Sequence, residues 1–166
     1  MNITLIGMPA SGKSTIGVLL AKRLGYQFID TDLLIQTEEK RLLKEIIQEE
    51  GLDGFLKIEN KVNASVEAEN AIIAPGGSVI YGKEAMEHLK AVSTIVYLKI
   101  SYVQLEKRLG NLVERGVAVK EGMTLLDLYE ERVPLYETYA DIVIDEQEKD
   151  IGSIVDEIRT IIENRM

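Results

Sequence analysis

The residues with the clearest chemistry form one nine-residue stretch, Gly7-Met8-Pro9-Ala10-Ser11-Gly12-Lys13-Ser14-Thr15, which fits G-x-x-x-x-G-K-[ST] at every fixed position. Glycines at 7 and 12 let the backbone turn tightly. Successive N–H groups can then point at a phosphate chain resting on the N-terminus of the following helix. In this pattern the Lys13 ammonium reaches the β- and γ-phosphates, and the Ser14 hydroxyl ligates Mg²⁺. Pro9, Ala10, Ser11, Gly12 and Thr15 make up the rest of the cradle. The pattern needs a strand before it and a helix after it. Asn2–Ile6 is a short apolar run suited to a buried strand, and Ile16, Leu19, Leu20 and Leu24 fall on one helical face. A glycine turn that merely joins strand to helix is the plainer alternative, and the flanking context argues against it. The stretch reads as a nucleotide-phosphate site.

Two further groups of residues could act beside it. Asp30 and Asp32 lie two apart at the end of a second short apolar run, so both can face roughly the same way. One carboxylate can hold Mg²⁺ through water, and the other can anchor or deprotonate a substrate hydroxyl. The alternative is a capping role, with Thr31 or Asp32 opening the next helix. Gly76-Gly77 could let the backbone approach a substrate closely, or could be an ordinary turn.

The elements that must position these residues alternate. Short apolar runs at 2–6, 26–29, 70–74, 93–98 and 142–144 read as strands buried on both faces. Helical patterns fall between them. Leu24-Gly25 reads as the stop of the first helix. From Leu33 to Glu69 the pattern is helical, with Leu42, Leu43, Ile46 and Ile47 on an apolar face, a break at Gly51–Gly54, and Phe55, Ile58, Val62 and Val66 resuming it. Residues 84–89 are helical, Ser101 can cap a helix through Leu109, and Thr124 one to about Tyr139. Ile151, Ile154, Val155, Ile158 and Ile162 line a last amphipathic helix. This order predicts one α/β domain over 1–166, a parallel sheet with crossovers on both faces, and a site at the carboxyl ends of the strands.

Composition narrows the chemistry. With 166 residues and a net charge of −9, the chain has no basic tail or stripe for nucleic acid, so a polyanion must find a locally basic site. It has no cysteine and a single histidine, His88, which excludes disulfides, thiolate catalysis, histidine triads and multi-histidine metal centres. His88 is expected at the surface. No run approaches the ~18 apolar residues of a membrane span, and the N-terminus lacks the features of a signal peptide. A cytoplasmic monomer with a small-molecule partner, without nucleic acid or membrane, is the expectation.

Taken together, Gly12-Lys13-Ser14-Thr15, Phe28-Ile29-Asp30-Thr31-Asp32, and Arg132-Val133-Pro134-Leu135-Tyr136 followed by Ala140-Asp141 resemble, in order, the motifs of the shikimate kinase family. The resemblance spans essentially the whole chain. It implies a P-loop kinase three-layer sandwich like the nucleoside monophosphate kinases, with a five-stranded parallel sheet of order 2-3-1-4-5. Its core would be 1–32 and 70–166, with a helical substrate-binding insert at about 33–62 and a short lid at about 110–123. It implies ATP and Mg²⁺ and an acceptor that is a hydroxylated carboxylic acid, in aromatic amino acid biosynthesis. Asp30 and Ser14 would serve the metal, and Asp32 would contact the acceptor hydroxyl with Gly76 and Gly77 nearby. Arg132 would bind the acceptor's carboxylate, for which a guanidinium fork is well shaped. Arg108 would lie near the adenine, and Arg115 would close over the phosphates, acting with Lys13 and Asp32 in catalysis. Read from the residues alone, Arg132 could instead pair with Glu130, Glu131 or Glu137, and Arg108 and Arg115 could be solvated surface arginines.

Three departures fall on the acceptor side. Phe55-Leu56-Lys57-Ile58-Glu59 stands where the family has Phe-Arg-x-x-Glu, so Leu56 replaces an arginine that helps hold shikimate's carboxylate. Lys57 points about 100° away and lacks the fork. Pro75-Gly76-Gly77-Ser78 lacks a third glycine, and Arg115-Gly116-Val117-Ala118 lacks the usual lid proline. ATP-dependent phosphorylation of shikimate is the leading expectation. A related kinase with another hydroxylated acceptor, and a nucleotide-binding module without phosphotransfer, are the alternatives. A nucleoside monophosphate kinase ranks below them, because residues 33–69 contain only Arg41 to meet an acceptor phosphate.

Overall fold

In the computed structural model, which describes residues 1–109 and 118–166, the five apolar runs become strands β1 (Ile3–Ile6), β2 (Gln27–Asp30), β3 (Ala71–Ala74), β4 (Thr94–Lys99) and β5 (Ile142–Asp145). They form one parallel sheet of order β2-β3-β1-β4-β5, the order that the resemblance implies. The central strands β1, β3 and β4 are buried on both faces, whereas the edge strands are not: β5 alternates buried and exposed, and β2 is partly open. An edge strand has only one neighbour to cover it, which is why the apolar pattern at 26–29 and 142–144 overstates burial.

Two helices cover one face of the sheet. These are α1 (Lys13–Leu24) and α7 (Ile151–Arg165), which pack Ile16, Leu20, Ile154, Val155 and Ile158 against Leu5, Ile72, Val96 and Leu98. The other face takes a 3-10 helix (Gly77–Tyr81), α4 (Lys83–Val92), α5 (Tyr102–Arg108) and α6 (Leu125–Tyr139). Met86, Leu89, Leu105, Leu128 and Tyr136 meet Ile6, Ile73, Ile95 and Tyr97 there. The expected caps hold, since Ser101 Oγ accepts from Gln104 N and Thr124 Oγ1 from Asp127 N. His88 is half-buried and not a free surface residue, because its Nε2 donates to the Val66 carbonyl at 2.7 Å.

The segment after β2 forms two helices as expected, but divides earlier than the expected break at Gly51–Gly54. It forms α2 (Thr31–Glu39) and α3 (Leu43–Ala64), separated by Lys40 in a left-handed conformation at φ 54°. Leu42 is exposed at the N-cap of α3 and does not join the apolar face. The expected break falls on Gly51, whose φ of 73° and ψ of 178° kink α3. The two helices share a small core of Ile35, Ile46, Phe55 and Val62. Arg41 ties them to each other through Glu39, Glu49 and Glu50.

Candidate active site

Helix α1 starts at Lys13 with no side chain capping its first amides and no acid in its first turn. Those N–H groups and the positive end of the helix dipole are therefore open to an anion. Pro9, Ala10, Gly12, Lys13, Ser14 and Thr15 line one wall of a pocket of about 330 Å³. Ser11 is buried behind that wall, with its Oγ 3.4 Å from Lys13 Nζ. The ammonium also donates to the carbonyls of Gly7 and Met8, at 2.9 and 2.8 Å. Its burial pulls the Lys13 pKa down to about 8, against the pull of Asp32.

The opposite wall comes from the ends of β2 and β3 and from α3 and α6. Asp30 carries the capping role itself: its Oδ1 accepts from the backbone N–H of Asp32 at 2.9 Å and of Leu33 at 3.4 Å. That fixes the first turn of α2 and turns Asp32 into the pocket. Burial, aided by the Asp30 charge, pushes the Asp32 carboxyl up to about 6.

Gly76 and Gly77 bring the two walls together by close approach. A Cβ at Gly77 would sit 2.9 Å from Pro9 Cδ and 3.0 Å from Arg132 Nη1. One at Gly76 would meet Asp32 Oδ1 at 2.9 Å and Glu59 Oε2 at 3.1 Å. The turn leads directly into the 3-10 helix, and Tyr136 Oη donates to the Gly77 carbonyl at 2.6 Å.

Arg132 is not in a surface ion pair with its neighbouring glutamates. It is 1% exposed, donates from Nη2 to the Ala118 carbonyl at 2.6 Å and lies 5.4 Å from the centre of the Tyr81 ring. Its Nε has no hydrogen-bond partner among the described residues. A buried guanidinium with spare donors facing a pocket is suited to an anion. Arg108 lies outside this pocket, with its Nη1 3.1 Å from the Ala10 carbonyl and 3.6 Å from Glu146 Oε1. Its side chain is exposed, and from the surface it bridges the phosphate loop and the end of β5. Arg115, and residues 110–117 of the lid expected at about 110–123, lie outside the described residues.

Sequence reasoning gave no role to Glu59, Ser78 or Glu146. Glu59 is 2% exposed and lines the pocket, and its Oε1 accepts from Ser78 Oγ at 2.7 Å. Burial pushes its carboxyl up to about 7. The signal was present in Phe55…Glu59, one helical turn apart on the face that carries the apolar residues. Glu146, 3% exposed at the end of β5, is likewise pushed up to about 7 by burial, with Arg108 opposing. Leu56 leaves the polar pocket and lines a small apolar cleft of about 70 Å³ with Leu52, Tyr81 and Met123, while Lys57 is exposed. The locally basic site that the net charge demands is not visible in the described side chains. Lys13 and Arg132 face Asp30, Asp32 and Glu59, so much of the positive potential there must come from loop amides and the α1 dipole.

Comparisons with known proteins agree with this arrangement. The family model for shikimate kinase matches residues 9–163. A shikimate kinase of Chlorobium chlorochromatii is 34% identical, with 99% of this chain and 92% of the relative covered. Among solved structures, the shikimate kinase of Aquifex aeolicus superposes with a TM-score of 0.85 at 31% identity, covering 99% of this chain and 98% of the other. That of Acinetobacter baumannii in complex with shikimate gives 0.82 at 28%, covering 99% and 93%. No helix among the described residues is long and apolar enough to cross a membrane. A phosphate-binding loop facing a pocket with a buried arginine, on a sheet of this order and with relatives of this likeness, makes the chain a member of the shikimate kinase family of phosphotransferases.

Proposed function

We propose that the chain transfers the γ-phosphoryl group of ATP to a hydroxyl of shikimate. The observation that carries this reading is the Gly76-Gly77 junction, which sets Asp32 and Arg132 against the phosphate loop in one pocket. Arg132 takes the acceptor's carboxylate and Asp32 its reacting hydroxyl. Lys13 exchanges the carbonyls of Gly7 and Met8 for the β- and γ-phosphates. The hydroxyl oxygen bonds to phosphorus as the bond to the bridging oxygen of ADP breaks, and the hydroxyl proton leaves towards Asp32 or water. Catalysis of this kind is mostly positioning and charge neutralisation, and a loose transition state asks little of a base.

The donors fit Mg²⁺. The Ser14 hydroxyl on one wall and the Asp30 and Asp32 carboxylates on the other are hard oxygens lining the same pocket, few enough for the ion to keep most of its water. When bound, the ion would neutralise charge on the phosphates. Ser14 and Asp30 would hold it, the latter through the oxygen that does not cap α2. The helices over 33–62 act as the acceptor-binding insert.

The test is ADP release from Mg-ATP with and without shikimate. Strong stimulation at sub-millimolar shikimate is expected, and Lys13→Ala should abolish it while leaving the circular dichroism spectrum unchanged. ATP binding without stimulation would overturn shikimate as acceptor. The placement of Leu56 in an apolar cleft favours one second reading, a hydroxylated acceptor less anionic than shikimate. A panel of such acids in the same assay separates the two.

A further inference from the structure

The acceptor side of the pocket has an imbalance that the proposed reaction must resolve. Arg132 is the one guanidinium described there, and it faces two carboxyl groups. Glu59 Oε2 and Asp32 Oδ1 are both buried, without a hydrogen-bond partner among the described residues, and both lie about 3 Å from the position a Gly76 Cβ would take. A carboxylate substrate brought into this space as a third negative group would meet Arg132 as its one side-chain cation, because Lys13 is held at the phosphate loop by the carbonyls of Gly7 and Met8. Position 56 lies three residues before Glu59 on α3, within reach of a long cationic side chain, but Leu56 turns into the apolar cleft beside Tyr81.

We infer that Glu59 is a further specificity-determining residue, which enters the acceptor complex as the neutral acid and donates from Oε2 into the pocket in place of a second cation. Acceptor binding is then coupled to holding a proton on Glu59. This inference rests on the reading of shikimate as acceptor.

The surroundings of Glu59 agree. Ser78 in the 3-10 helix donates to Oε1, so the other oxygen is left for the proton. Asp32 in the first turn of α2 disfavours ionisation of Glu59, and Arg132 of α6 favours it. Tyr136 of α6 lies near and donates to the Gly77 carbonyl, and Tyr81 donates to Glu131. From α4, Glu84 accepts from Asn60 on the exposed side of α3, and His88 holds Val66. Burial outweighs these charges and pushes the carboxyl up to about 7. A bound carboxylate shifts that balance further towards the neutral form.

The sign follows. Glu59 is neutral below its pKa, so the acceptor KM should be lowest in mild acid and climb with pH, on the order of tenfold from pH 6.5 to 8.5. Ionisation of Asp32 is read separately in kcat. Glu59→Gln is permanently neutral and should show a flat acceptor KM. Leu56→Arg should flatten the profile and lower KM by tenfold or more at pH 8.5. Titrating the whole protein with shikimate at pH 7.5, in phosphate and in Tris, should show fractional proton uptake on binding, lost in Glu59→Gln. A wild-type KM that is flat over this range, or a Glu59→Gln variant that keeps the rise, overturns the inference while leaving the kinase reading intact. Absence of shikimate binding and turnover at every pH overturns both.

Discussion

At the residue scale, Arg132 carries the sharpest claim, because its charge has been taken out of water with few partners to replace it. The Ala118 carbonyl accounts for one Nη2 donor and the Tyr81 ring for one face, and Nε is left over. Replacement by lysine keeps the charge but loses the fork. A charge-assisted contact to a carboxylate is worth roughly 1.5–3 kcal/mol, so Arg132→Lys should raise the acceptor KM about ten- to a hundredfold and leave the KM for ATP within about twofold. Steady-state kinetics on both substrates checks this. Equal changes in both constants would make Arg132 a brace for Ala118 and not a ligand. Lys13, Ser14, Asp30 and Asp32 were legible in the sequence, because a phosphate loop and a strand end are local patterns. Glu59 was signalled only by its spacing from Phe55, and Glu146 not at all, because an acid on a helix or after a strand reads as solvated until the fold closes over it.

At the scale of elements, the kink in α3 decides where Phe55 and Glu59 point. Gly51, at φ 73° and ψ 178°, occupies a region that is nearly closed to residues with a Cβ. No atom lies within 4 Å of where that Cβ would go, so the obstacle is the backbone and not space. Gly51→Ala should therefore cost about 1–3 kcal/mol in denaturant unfolding, or straighten the helix and swing Glu59 out of the pocket. An unchanged unfolding midpoint together with an unchanged acceptor KM would show that the kink is not needed. The sequence announced this break through its glycines, and it announced the helix starts at Ser101 and Thr124 through their side-chain oxygens. It gave no warning of the break at Lys40, since lysine carries no preference for the left-handed region it occupies. Nor did it foretell the 3-10 helix after Gly76, which is too short to show a period.

For the whole molecule, the parallel sheet followed from the alternation of apolar runs and helical patterns and its strand order from the family resemblance, while its response to pH could be read only from burial. Three buried acids hold protons longer folded than unfolded: Asp32 to about 6, and Glu59 and Glu146 to about 7. Between pH 4.5 and 7 the native state thus binds more protons than the unfolded chain, so stability falls as pH rises through this window and levels off above it. Lys13 works the other way, releasing its proton near pH 8 in the folded state, and its cost is relieved only as pH rises beyond that. The net charge of −9 adds self-repulsion at neutral pH. From these groups, stability should therefore be highest at the acid end of this window, near pH 4.5, with a shallow minimum between pH 7 and 8. Glu146 isolates the effect, because it lies outside the substrate pocket and its burial outweighs the pull of Arg108 and Lys13. Glu146→Gln should match the wild type in urea unfolding at pH 5 and exceed it by roughly 1–3 kcal/mol at pH 8. If the variant were instead less stable at pH 8, the ion pair with Arg108 would outweigh burial, and Glu146 would be a brace for the phosphate loop held in its charged form.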